Sequence, residues 1–212
     1  MEQEQNNEIY LNLFKFQPSI SQRRQIEIME GALKCYIKVG FDKATFEKVA
    51  ESAKASRSLV VHYFKSRDDL FEKTMTYVRH SYQMSVIEAI KAAGASPLDQ
   101  LEAFVRASVG WGESAPVHAK CWLIFLFSCV RNKKHRKMNH EWVQMGQQRI
   151  AALLIQVSSS KAISVSEPAY KAREIQRYIS GSLITYGTEE SEMSPAEFSD
   201  DCWNSVLDII KS

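Results

Sequence analysis

The stretch TFEKVAESAKASRSLVVHYF, residues 45–64, decides the fold. Phe46, Val49, Ala50 and Ala53 recur at helical spacing and put an apolar stripe on one short helix. Ser56 then caps a second short helix whose inward side is Val60 and Phe64. Two short helices separated by one tight turn have helix-turn-helix spacing. The outward side of the second helix carries Arg57, Ser58, Val61 and His62, a stripe of hydrogen-bond donors with one methyl-bearing side chain among them.

That stripe fits a DNA major groove. Arg pairs bidentately with guanine, Ser and His bond to base edges, and Val61 or Leu59 can touch thymine methyls. Between Lys38 and Arg67 stand seven basic residues (Lys38, Lys43, Lys48, Lys54, Arg57, Lys65, Arg67) against three acidic ones (Asp42, Glu47, Glu51), a local excess of +4. The whole chain has 27 Lys and Arg against 25 Asp and Glu, a net charge of +2, so the excess is concentrated where phosphates would lie.

Working outward, the spacing remains helical. Eight glycines and five prolines are few for 212 residues, and the prolines fall where helices begin: Ser96 before Pro97, Ser194 before Pro195, a looser Glu167 before Pro168, and Pro116. The spacing predicts helices over about 21–39 (closed by Gly40), two short ones between Thr45 and Tyr63, then about 66–93, 97–112, 116–131, 137–158, 167–188 and 195–211. No stretch alternates with period two. The chain is therefore expected to be all-α, with about nine helices. Residues 1–20, polar with an apolar patch from Ile9 to Phe16, are expected to be a tail or arm.

Composition excludes several classes. At 45% hydrophobic and 25% charged the chain is an ordinary folding sequence, not a disordered or collagenous one. The longest apolar run, Cys121–Phe127, is about half of what a membrane-spanning helix needs, and no secretory signal opens the chain, so a cytoplasmic protein is expected. Cys35, Cys121, Cys129 and Cys202 are scattered without a CxxC pair, which suits reduced core thiols. His118 and Cys121 have the i, i+3 spacing of two metal ligands, with His135 and His140 downstream, but no compact third and fourth ligand is visible and no metal is expected. No nucleophile, base and orienting acid assemble and no glycine-rich phosphate loop is present, so neither catalysis nor a cofactor is expected.

The segment resembles the tetracycline-repressor (TetR) family of bacterial transcription regulators. The resemblance runs from Ile26 to Leu70 and rests on GFDKATFEKVAESAKASRSLVVHYFKSRDDL: Gly40, Thr45, Val49–Ala50, Ala53, Ser56, Tyr63–Phe64 and the SRDDL start of the next helix. It implies a three-helix DNA-binding head over 21–66, joined to a helical-bundle body over 67–212 that binds an effector and dimerises. It also implies that Thr45 and Tyr63 contact phosphates, with Lys65 and Arg67 nearby, and that Arg57, Ser58, Leu59 and His62 read bases. Three positions depart from the family pattern. Lys54 stands where the turn usually has glycine, at a cost on the order of 1 kcal/mol if the residue is left-handed, partly offset by a phosphate-facing charge. Ser58 replaces a frequent glycine and Val61 a frequent tyrosine.

The body offers further candidates. Its surplus of large apolar residues suggests an effector cavity between helices, with Tyr77, Met84, Phe104, Trp111, Trp122 and Phe125 as lining. Ile175, Tyr178, Ile179, Ser182 and Tyr186 on one helix, with Cys202, Val206 and Ile209 on the next, make an apolar pair of faces expected to form a dimer interface, since a head of this kind reads two half-sites only when symmetry doubles it; closing the monomer core is the alternative. The basic run RNKKHRK, 131–137, is expected to be a solvated connection between two helices, with a second nucleic-acid or acidic-partner patch as the alternative. The expected function is a homodimeric regulator, a repressor that binds a pseudo-palindromic operator in double-stranded DNA and is released by a small apolar effector. The alternative is a helical effector- or partner-binding protein whose helix-turn-helix, through Lys54, Ser58 and Val61, no longer reads a specific operator.

Overall fold

The structure, a computed structural model, describes residues 19–190 and 192–212. The expected N-terminal tail therefore lies, but for Ser19 and Ile20, outside the described residues. Among the described residues there are nine α-helices and no strand: α1 (Ile20–Val39), α2 (Phe46–Ser52), α3 (Arg57–Tyr63), α4 (Arg67–Ala92), α5 (Pro97–Ser114), α6 (Pro116–Arg131), α7 (Lys133–Ser159), α8 (Pro168–Thr188) and α9 (Pro195–Lys211).

The caps explain most of the boundaries. Ser19 accepts from Gln22 N while its own N–H donates to Gln22 Oε1, a reciprocal box that starts α1. Gly40, at φ +78°, ends it in a backbone conformation that a side chain would strain. Thr45, Ser56, Ser96 and Ser194 each present a hydroxyl to the first turn of α2, α3, α5 and α9. Prolines occupy the first position of α5, α6, α8 and α9, where a missing N–H costs nothing.

One boundary differs from expectation. α7 begins at Lys133 rather than near 137, so the run 131–137 is not a solvated connection: Asn132 alone separates α6 from α7. Asn132 Oδ1 accepts from Lys134 N at 2.9 Å and His135 N at 3.3 Å. Arg136 folds back to donate to Cys129 O and Val130 O, satisfying the last carbonyls of α6. His135 is buried, with Ser128 Oγ 2.9 Å from its Nδ1. An asparagine cap outweighs the disfavoured placing of cations in a first turn.

The chain divides into two compact units: residues up to Ser81 with Lys120–Phe125, and Tyr82–Ala119 with Leu126–Ser212. In the first, α1 packs on α2 and α2 on α3. Its buried side chains include Leu33, Tyr36, Val49, Val60, Phe64, Phe71 and Phe125. The Phe71 ring lies 5.4 Å from Tyr36 and 4.2 Å from Phe41. Gly31 permits the close approach of α1 to the turn after α2, since a Cβ there would lie 2.4 Å from Ala53 Cβ. The second unit packs α7 on α8, α9 on α5 and α8, and α5 on α7 and α8 around Leu101, Val105, Ile150, Leu154, Ile175 and Val206. Lys171 is buried there and donates to Ile209 O and Ile210 O, a cation capping the negative end of α9.

Candidate nucleic-acid interface

α3 is held from inside and left open outside. Val60 is fully buried, as is Phe64 just beyond the helix end, while Arg57, Ser58, Val61 and His62 are exposed. The expected inward and outward faces are those of the structure. Leu59 is half-buried, at the edge of the exposed face. Ser56 Oγ accepts from Leu59 N at 3.2 Å and lies 2.9 Å from Ser58 Oγ, so the cap and a base-reading candidate share hydrogen bonding. The His62 and Tyr63 rings meet edge to face at 4.9 Å, which fixes both directions.

Lys54 occupies the turn between α2 and α3 at φ +51°, the left-handed conformation in which glycine carries no penalty. The turn is closed by Lys54 N donating to Glu51 O and Ala55 N to Ala50 O. Lys54 and Lys65 are both exposed. Lys65 is presented by its backbone N–H donating to Asp69 Oδ2 at 2.9 Å, a link to the first turn of α4.

Arg67 does something sequence spacing does not disclose. Its Nη2 donates to Phe41 O and Asp42 O, both at 2.8 Å, and its guanidinium lies 5.8 Å over the Phe41 ring. It ties the α1–α2 connection to α4, so a phosphate would share it with those carbonyls. Glu47 is the other such residue. Its carboxylate takes the Arg57 guanidinium, and its pKa is held below the usual carboxylate range by its own backbone N–H first, then by Arg57 and Thr45. Arg57, expected to read a base, and Thr45, expected to contact phosphate, therefore converge on one carboxylate. Arg57 and Glu47 are ten residues apart on different helices, a pairing that only the fold brings about.

The effector candidates fall in both units. Tyr77, Trp122 and Phe125 belong to the first: Tyr77 is buried with its hydroxyl donating to Glu30 Oε1 at 2.6 Å, and the Trp122 and Phe125 rings are 5.3 Å apart. Met84, Phe104 and Trp111 belong to the second, where Met84 is half-buried and the other two are buried. Trp111 meets the Tyr82 ring at 5.4 Å, Tyr82 Oη lies 2.9 Å from the buried Ser108 Oγ, and Trp111 Nε1 is buried with no acceptor among the described residues. A groove of about 640 Å³ lies elsewhere in that unit, lined by Tyr170, Lys171, Arg177, Tyr178, Ile209 and Ser212 among others. None of the six expected lining residues borders it.

Of the dimer candidates, Ile175, Ile179, Cys202 and Val206 are buried in the chain's own core, whereas Tyr178, Ser182, Tyr186 and Ile209 retain part of their surface. The helical period was legible, but the outward phase of α8 also includes exposed Tyr170 and Ile184. Cys121, half of the metal-like pair, donates its thiol to Leu33 O at 3.4 Å, and burial pushes its pKa up to about 12. No group of three or more His, Cys, Asp or Glu side chains converges among the described residues. No helix among them is long and apolar enough to cross a membrane.

Known proteins place this geometry. Residues 28–74 match the bacterial regulatory proteins of the tetR family. The HTH-type transcriptional regulator BetI of Paraburkholderia xenovorans is 27% identical over 117 residues, 55% of this chain and 60% of the relative. That of Burkholderia thailandensis is 30% identical over 118 residues, again 55% and 60%. The chain thus spans about three-fifths of the curated relatives it matches. Among solved structures, a TetR transcription regulator from Haloarcula marismortui superposes with a TM-score of 0.75 at 12% identity, covering 89% of this chain and 96% of that one. A transcriptional regulator from Rhodococcus gives 0.75 at 15% identity over 88% and 96%. Those identities carry the fold alone, and it is through residues 28–74 that the chain is similar to the bacterial regulatory proteins of the tetR family.

Proposed function

We propose that the chain is a homodimeric, DNA-binding transcription regulator, a repressor that reads a pseudo-palindromic operator through α3 and is released by a small, largely apolar effector. The observation that carries it is the exposed face of α3, Arg57, Ser58, Val61 and His62, set in a segment with a +4 excess. Residues 21–66 are the DNA-binding head, with Thr45, Lys54, Tyr63, Lys65 and Arg67 on phosphates. Residues 67–212 are the effector-binding and dimerisation body. A dimer supplies two recognition helices, which engage half-sites about one helical turn apart.

The effector part is supported by Trp111. A buried indole N–H without an acceptor, beside the Tyr82–Ser108 pair, is a costly feature that a bound carbonyl or ether oxygen would satisfy. An effector that favours a dimer with differently spaced recognition helices shifts the population away from the operator-competent one.

Competition tests the DNA part directly. A labelled operator duplex held by the protein at near-physiological salt should resist a large excess of random duplex, because specific sites bind roughly 10³-fold or more tighter than non-specific ones. Equal competition by random duplex would support instead the alternative of a head that no longer reads an operator.

A further inference from the structure

Two stretches of the second unit carry opposite charge. From Leu126 to His140 there are five Lys or Arg and no Asp or Glu, and from Glu189 to Asp201 there are six Asp or Glu and no Lys or Arg. The basic stretch is folded into the α6–α7 corner, where the exposed cations Arg131, Lys133 and Lys137 stand next to Phe127 and Val130, which are 67% and 69% exposed. Lys133 and Lys134 sit in a first helical turn that has no acidic residue, at the positive end of the helix dipole. Exposed apolar surface and cations placed against a dipole are two local penalties at one corner, and an anionic partner with an apolar contact relieves both. The acidic stretch offers that chemistry: Glu189, Glu190 and Glu192 are exposed, as are Ile184 and Met193 beside them.

The two features lie at the same level of the bundle. α7 and α8 are joined by a short connection and run antiparallel, and Gly146 of α7 approaches Gln176 of α8, where an added Cβ would lie 2.3 Å from Gln176 Oε1. Lys133 is 13 residues before Gly146 and Thr188 is 12 residues after Gln176, so both ends lie roughly 20 Å from that crossing, in the same direction. A two-fold axis along the bundle brings the acidic end of one copy level with the basic corner of another.

We propose that the α6–α7 corner of one copy docks on the acidic α8–α9 connection of a second copy, and reciprocally, within a two-fold dimer. This rests on the homodimer assigned above and adds a contact that sets its symmetry: the residue that reaches across in one direction is answered by the same residue in the other.

The test uses full chains in sedimentation velocity at micromolar concentration. A corner-reversed chain (Lys133→Glu with Lys137→Glu) and a loop-reversed chain (Glu190→Lys with Glu192→Lys) should each self-associate at least tenfold more weakly than the wild type. Mixed in equal amounts they should associate with each other, because both reciprocal contacts in the mixed dimer are then attractive. A chain carrying all four changes should regain self-association. Glutamate at position 133, in the first helical turn, favours the helix, and at the exposed position 137 it replaces one good helix former by another, so the corner change leaves α7 intact, which circular dichroism checks. Unchanged association of the corner-reversed chain, or a mixture no tighter than its components, overturns the docking and leaves the homodimer standing. So does a corner change that weakens binding to random duplex or to anionic phosphatidylserine vesicles while leaving self-association alone. A wild type that stays monomeric overturns the homodimer and the docking with it.

Discussion

Arg57 at the start of α3 and Glu47 in the first turn of α2 form an ion pair, so the residue proposed to read a base is paired with a carboxylate of the neighbouring helix. Both side chains are more than half exposed, which makes the pair weak and exchangeable. Glu47 occupies the guanidinium as a phosphate or a guanine edge would, and it keeps Arg57 directed along the α2–α3 side of the head. In the proposed complex with DNA, Arg57 exchanges this carboxylate for the acceptors of a base edge.

Arg57→Ala should cost roughly 1–3 kcal/mol on the operator and relax preference at one base position, whereas Lys65→Ala should weaken every duplex alike and lower the salt slope by about one. Binding isotherms on the operator, a single-base series and random duplex across several salt concentrations separate the two. Parallel losses for both variants on all sequences would contradict the assigned roles.

Glu47→Gln removes the carboxylate that faces Arg57 and Thr45 and keeps the shape of the side chain. Binding to random duplex should tighten, with a steeper salt dependence, because the head gains one net positive charge. The operator-to-random ratio should fall. A tighter operator with unchanged random binding would mean that Glu47 does not restrain Arg57.

Gly31→Ala tests how closely α1 approaches the turn after α2. In an exposed helix the exchange gains about 1 kcal/mol. Here the new Cβ meets Ala53 Cβ at 2.4 Å and its backbone N at 2.6 Å, so the chain should lose about 1–3 kcal/mol of stability. Urea denaturation reads the sign, and a gain in stability would contradict the close packing of α1 on the turn after α2.

His80 makes part of the stability pH-dependent. Burial, with the charge of Arg79 adding to it, pulls the imidazole below its ordinary pKa. Between the folded value and the unfolded value of about 6.5 the unfolded chain binds more protons, so stability rises with pH through that window. The contribution is present above about pH 6.5 and is lost as pH falls through the folded value. His80→Gln should therefore flatten the fall in unfolding free energy between pH 7 and 5 relative to the wild type. Identical pH slopes for the two proteins would remove His80 from the account.

Local signals made the helices legible. Ser56, Ser96 and Ser194 as caps, and the prolines that follow two of them, each act within one turn, so spacing alone places α3, α5 and α9. Lys54 was legible in the same way, as a non-glycine in a turn that takes a left-handed residue. The start of α7 was not, because the side chains of Asn132 and Arg136 that build it reach across a helix junction while the run itself reads as solvated charge. In the head, the outward face of α3 follows from helical period. The engagement of Arg67 with Phe41 O and of Arg57 with Glu47 depends on segments about 26 and 10 residues apart, which only packing joins. In α8 the period identified an apolar face, but whether Ile175 and Ile179 face a mate or their own core is decided by which side α5, α7 and α9 cover.

Whether α3 reads sequence is decided by selecting bound sequences with the purified chain from a random duplex pool at near-physiological salt. An enriched pseudo-palindrome with half-sites about one helical turn apart, lost when Arg57 is replaced by alanine, is the predicted result. A bound pool indistinguishable from the starting one would contradict the assignment of α3 as a sequence-reading helix.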